Sequence, residues 1–86
     1  MKSFPLIIST PDGEIFNGSA VNISLRGVEG DLAIMAGHIP FVTAIKPGKC
    51  TVELDDGSTK SASCDGGILT VSSDTVRVLA GSFNWE

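Results

Sequence analysis

The chain has 86 residues, 42% of them hydrophobic, a formal net charge of −4 and a sequence pI near 4.7. That length holds one domain, residues 1–86, and that apolar content excludes disorder. Its six Lys and Arg are dispersed among ten acids, which excludes the cationic stripe a nucleic-acid partner requires.

In chain order, "MKSFPLII" has one lysine and an apolar run broken by Pro5, which does not fit a signal peptide. "TPDG" (Thr10 to Gly13) has the residue preferences of a type I turn. In "VNISLR", Val21, Ile23 and Leu25 alternate with Asn22, Ser24 and Arg26, the period of a strand with one wet face. The next stretch, "RGVEGDLAIMAGHIPFVTAIKPG", has glycines at 27, 30, 37 and 48 and aliphatics without polar alternation. Gly37 and Pro40 bar a helix. It reads as two buried strands joined by tight loops, with His38 in a turn. Alternatively, its apolar excess leaves a patch for a partner. "CTVELD" alternates again, with Cys50, Val52 and Leu54 inward, and Asp56-Gly57 gives a two-residue hairpin signal. Gly66-Gly67 reads as the start of a strand with a bend or bulge. "SSDT" is a turn, and "TVRVLA" places Val76, Val78 and Ala80 inward. Short strands punctuated by turns imply an all-β sandwich or small barrel.

No catalytic or metal-binding constellation emerges. One histidine cannot build a multi-His zinc site, and Cys50 and Cys64 lack metal-ligand spacing. The absence of a signal peptide and of any apolar run approaching about 18–20 residues implies a soluble, intracellular chain. Its two cysteines are then free, buried thiols with no disulfide. A Cys–His nucleophile would need His38 beside one of them. No glycine-rich loop opens a helix, so no phosphate cradle is expected.

Gly27-x-x-Gly30-x-Leu32-x-Ile34-x-x-Gly37-His38-x-Pro40, followed by Thr43-Ala44-Ile45-Lys46-Pro47-Gly48, closely resembles the signature of the epsilon subunit of rotary (F-type) ATP synthase. Phe16-x-Gly18, Gly66-Gly67-Ile68-Leu69 and Val76-x-Val78-Leu79-Ala80 fit the same template, so the likeness spans essentially the whole chain. Ala33 stands where that family usually has glycine, and Ala36 where proline is common.

The resemblance implies a ten-stranded β-sandwich (a flattened barrel) without the C-terminal helical hairpin that typical bacterial members carry, since this chain stops at "GSFNWE" where the hairpin would begin. It implies a non-catalytic, cofactor-free rotor subunit of the central stalk, joining the gamma subunit to the membrane c-ring and coupling ion-driven rotation to ATP synthesis. The location implied is peripheral, on the cytoplasmic face of the cell membrane. Val28, Glu29, Gly30, Asp31 and Leu32 would form the c-ring contact, with the two acids facing a ring arginine. Thr10, His38 and Thr43 would meet gamma, and Met35, Ile39 and Phe41 would add apolar contact. Phe83 and Trp85 would cap the sandwich or await a partner. The competing reading is a small β-sandwich module that binds a ligand or another protein.

Overall fold

The alternating segments form strands in the expected phase. The computed structural model describes residues 2–28, 30–37 and 39–86; Met1, Glu29 and His38 lie outside the described residues. Seven strands follow in order: β1 (Phe4–Thr10), β2 (Gly13–Gly27), β3 (Gly30–Met35), β4 (Phe41–Leu54), β5 (Thr59–Val71), β6 (Val76–Ala80) and β7 (Phe83–Trp85), with no helix among the described residues. Val21, Ile23 and Leu25 on β2, Cys50 and Val52 on β4, and Val76, Val78 and Ala80 on β6 are all buried. Each large aliphatic so enclosed contributes about 1.5–3 kcal/mol.

Hydrogen bonding closes the strands on themselves. The path β1-β6-β5-β4-β2 returns to β1 through the antiparallel β1–β2 ladder, while β3 lies outside β2 and β7 beside β5. Among the described residues only the β1–β6 pair, Leu6 to Val76 through Ser9 to Leu79, is parallel. Closure removes most of the free edge that an open sheet would present.

Among the described residues the strands number seven, not the ten expected, because three long strands each serve both layers. β2 pairs β1 from Gly13 to Ala20 and then β3 and β4 from Ala20 onward, with its register shifting beyond Ala20. β5 pairs β7 over Ala62–Cys64 and β6 over Gly67–Val71. β4 follows β5 throughout and turns with it between Ile45 and Pro47. Cut at these corners, the same chain would number ten strands; the hydrogen bonding runs through them. One layer then holds β1, β6 and the halves of β2, β4 and β5 beside them, and the other holds β3, β7 and the remaining halves.

Gly66 and Gly67 make the corner of β5 and stand mid-strand, not at its start. Gly66 has φ +93°, a conformation that glycine adopts without penalty. A Cβ on Gly67 would lie 2.0 Å from the Leu79 carbonyl oxygen and 2.8 Å from Ala80 Cα. The connection leaving β6 seals the corner, with Gly81 N–H donating to the Gly66 carbonyl at 3.1 Å and Asp65 N–H to that of Ser82 at 3.1 Å.

The turns follow their chemistry with one difference. Thr10 Oγ1 accepts from Asp12 N–H at 3.2 Å at the β1–β2 turn. The "DDG" hairpin is one residue longer than its Asp-Gly signal suggests. Leu54 N–H donates to the Ser58 carbonyl at 2.8 Å and Gly57 N–H to that of Leu54 at 3.1 Å, with Gly57 at φ +90°. This is a type I turn closed by a left-handed glycine. Hydrogen bonds from the Ser58 hydroxyl and backbone N–H, aided by Lys60, hold the Asp56 carboxyl below its usual range. That support is present above the ordinary carboxylate pKa and fades as pH falls through the depressed value.

Phe83 is buried, and Trp85 meets it edge-on at 5.0 Å and Phe16 at 6.1 Å. Lys60 Nζ lies 5.3 Å above the Trp85 ring. The terminal aromatics therefore cap the core.

Cys50 and Cys64 are free and buried on the inner side of β4 and β5. Burial first, and the neighbouring Cys64 second, push the Cys50 thiol up to about 12. Native protein at pH 8 is therefore expected to react with a thiol reagent at Cys50 only through opening of the fold. Labelling in buffer and in denaturant, read by mass, checks this, and rapid native labelling of Cys50 would contradict it.

Candidate interaction surfaces

The inner phase of each strand is fixed by the core, so the outer phase is what the molecule offers to others. On the layer that contains β1 and β6, the outward residues are unexpectedly apolar. Ala44, Ile68 and Leu79 form one row across three strands, since Ala44 pairs Ile68 and Ile68 pairs Leu79. Val42, Thr70, Arg77 and Ile7 form the next. Val42, Ile68 and Leu79 are 67%, 48% and 57% exposed although each adjoins a buried or half-buried residue in sequence. Directly paired side chains lie about 4.5–5.5 Å apart, so these rows are continuous. The outer face of the other layer carries Ser24, Arg26, Lys49, Thr51, Ser61 and Ser63 and is polar. The two faces thus differ in chemistry. An exposed contiguous apolar face on a small domain marks a contact surface.

The β2–β3 hairpin borders this apolar face. Gly27 pairs Gly30, and Val28 N–H donates to the Ala44 carbonyl at 3.2 Å. Val28, itself 49% exposed, therefore extends the Ala44–Ile68–Leu79 row to the hairpin tip. Gly27 is required there, because a Cβ would meet Leu32 Cδ1 at 2.9 Å and the Gly30 carbonyl oxygen at 3.0 Å. Of the five residues singled out in this loop, Val28, Gly30 and Asp31 are exposed, Leu32 is half-buried against the core, and Glu29 lies outside the described residues. Asp31 faces Arg26 Nε at 3.7 Å with both side chains largely exposed. Such a pair is worth about 0–1 kcal/mol, so Asp31 remains available to another cation.

Of the other three singled-out residues, Thr10 and Thr43 are described. Thr10 is buried in its turn. Thr43 is half-buried and pairs the fully buried Leu69, placing it on the inner phase of β4. His38 lies outside the described residues. Met35 and Ile39 are exposed at either side of that position, and Phe41 packs partly against the core. Sequence reasoning missed Val42, Ile68 and Leu79 as surface residues. The available signal was phase: in "VRVLA" the inward set of Val76, Val78 and Ala80 already turns Leu79 outward.

Two surface depressions are modest and hold no catalytic grouping. One of about 220 Å³ is lined by Ser24, Arg26, Asp31, Leu32, Lys49 and Thr51, and one of about 440 Å³ by Thr59, Lys60, Ser61, Trp85 and Glu86. Cys50 is buried, and its thiol, pushed up to about 12 by that burial, has almost no thiolate at neutral pH.

Comparisons with known proteins agree with this architecture. The fold is similar to a chain of the Euglena gracilis mitochondrial ATP synthase (TM-score 0.91, 24% identity, 96% of this chain and 53% of that one). It is also similar to a chain from the central stalk/c-ring of the Tetrahymena thermophila mitochondrial ATP synthase (TM-score 0.78, 17% identity, 95% of this chain and 66% of that one). The chain thus spans between about half and two-thirds of the length of these two structures. The sequence model of the family described as ATP synthase, Delta/Epsilon chain, beta-sandwich domain, matches residues 3–86. The two-layered closed sheet, its glycine corner and a match running almost end to end place this chain in the ATP synthase delta/epsilon beta-sandwich family.

Proposed function

We propose that this chain is a non-catalytic central-stalk subunit of a rotary ATP synthase, which joins the gamma subunit to the c-ring and couples ion-driven rotation to ATP synthesis. The single observation that carries the reading is the apolar outer face formed by Val42, Ala44, Ile68 and Leu79. A coupling element works by fit, and a closed, cross-bonded barrel with one oily face supplies stiffness and a seat together. In this reading gamma covers the apolar face; Thr10, His38 and Thr43 are assigned to the gamma contact from the family resemblance, although Thr43 faces inward on β4. The c-ring meets Val28, Glu29, Gly30, Asp31 and Leu32 at the adjoining hairpin. The two contacts adjoin at Val28, whose N–H donates to the Ala44 carbonyl, while Asp31 lies beside Arg26 on the polar face. The subunit is then peripheral, at the cytoplasmic face of the membrane. It needs no cofactor of its own.

Co-purification with gamma and the ring tests the proposal. A stable complex burying more than about 1,000 Å² is expected, and failure of purified gamma to co-elute at micromolar concentration would overturn it. The ring contact is tested separately. The Glu29→Lys, Asp31→Lys double variant is expected to keep its melting temperature while ATP synthesis in reconstituted vesicles falls several-fold. Unchanged synthesis would remove the loop from the ring interface.

A further inference from the structure

Resting on the reading that gamma covers the apolar face, we propose that gamma presents a carboxylate to Arg77, and that this single ion pair decides which gamma surface fits. Arg77 stands inside that face. It projects outward from β6 between its direct neighbours Ile7 and Thr70, with Val42 beyond Thr70 on the same row and Leu79 two residues on. Lys46, next after Ala44 in the outward phase of β4, stands only at the corner.

No ion pair formed among the described residues involves Arg77. The ion pair formed among the described residues joins Arg26 and Asp31. The acid nearest along the chain, Asp74, accepts hydrogen bonds from Ser72 Oγ at 3.2 Å and Thr75 Oγ1 at 3.4 Å. In free protein the guanidinium is hydrated and costs nothing. When an apolar partner covers the face, that hydration is lost, and an unpaired buried cation is strongly unfavourable. A partner carrying Asp or Glu opposite it recovers the loss. The guanidinium's planar fork donates two parallel hydrogen bonds to a carboxylate, which fixes orientation as well as charge. The apolar rows therefore supply the affinity, while Arg77 rejects apolar surfaces that lack the acid.

Calorimetric titration of gamma from the same source into wild type, Arg77→Glu and Ile68→Glu separates the possibilities. Arg77→Glu is expected to weaken binding roughly 30-fold or more with an unchanged thermal melt. At least one Asp→Lys or Glu→Lys variant of gamma should restore its binding. Arg77→Glu binding within about threefold of wild type while Ile68→Glu abolishes it would overturn the ion pair and leave the docking face standing. Weakened Arg77→Glu binding that no lysine variant of gamma restores would also overturn the pair. If both variants bind as wild type does, the docking face is overturned and the pair with it.

Discussion

A Gly67→Ala variant is expected to unfold roughly 10–25 °C below the parent chain, or not to accumulate at all. The added methyl group would stand 2.0 Å from the Leu79 carbonyl oxygen and 2.8 Å from Ala80 Cα. Both obstacles are backbone, so no side chain can swing aside. β6 would have to move, and β6 bridges β5 and β1 in the closed ring. Displacing it disturbs two ladders at once, at a cost of about 3 kcal/mol or more. Gly81→Ala is the matched control: the nearest atom to its new Cβ is Asp65 Oδ2 at 3.9 Å, and its effect is expected within about 0.5 kcal/mol. Thermal unfolding followed by circular dichroism distinguishes the two. Equal melting temperatures for both variants would mean that the corner tolerates a side chain.

The second large effect falls on binding. Ile68→Glu is expected to weaken association with gamma by at least about 2 kcal/mol, near thirtyfold in Kd. Ile68 pairs both Ala44 and Leu79, so a carboxylate there is central to the face and would be desolvated on docking. The free chain should lose little stability, because residue 68 is already half-exposed. Titration calorimetry measures the first part and a thermal melt the second. Ser63→Glu, on the polar outer face, should leave affinity unchanged. Equal loss from both variants would point to general charge repulsion and away from a defined seat.

Where strands alternate cleanly, the sequence discloses both their existence and their facing. Val21, Ile23 and Leu25 needed no structure to be assigned inward, nor did Val76, Val78 and Ala80. The corners were less legible. Whether β2 continues past Ala20 or stops there depends on partners far along the chain, and no local pattern encodes it. The Gly66-Gly67 pair signalled an irregularity, but its position inside β5 emerges only when Leu79 is seen to approach Gly67. The candidate surface was half legible. The hairpin around Gly27 and Gly30 could be located from its glycines. Val42 and Ile68 each stand beside another apolar residue, Phe41 and Leu69, and of two adjacent apolar residues on a strand one must point outward although composition alone assigns both to the interior.

The parallel pairing of β1 with β6 has a consequence for biosynthesis. Leu6 leaves the ribosome well before its partner Val76, about seventy residues further along the chain. Until then one flank of the nascent first strand must wait unpaired, and the ring cannot shut. Such distant pairing places the chain among slow folders, on the order of milliseconds to seconds, with β6 acting as the latch that shuts the ring.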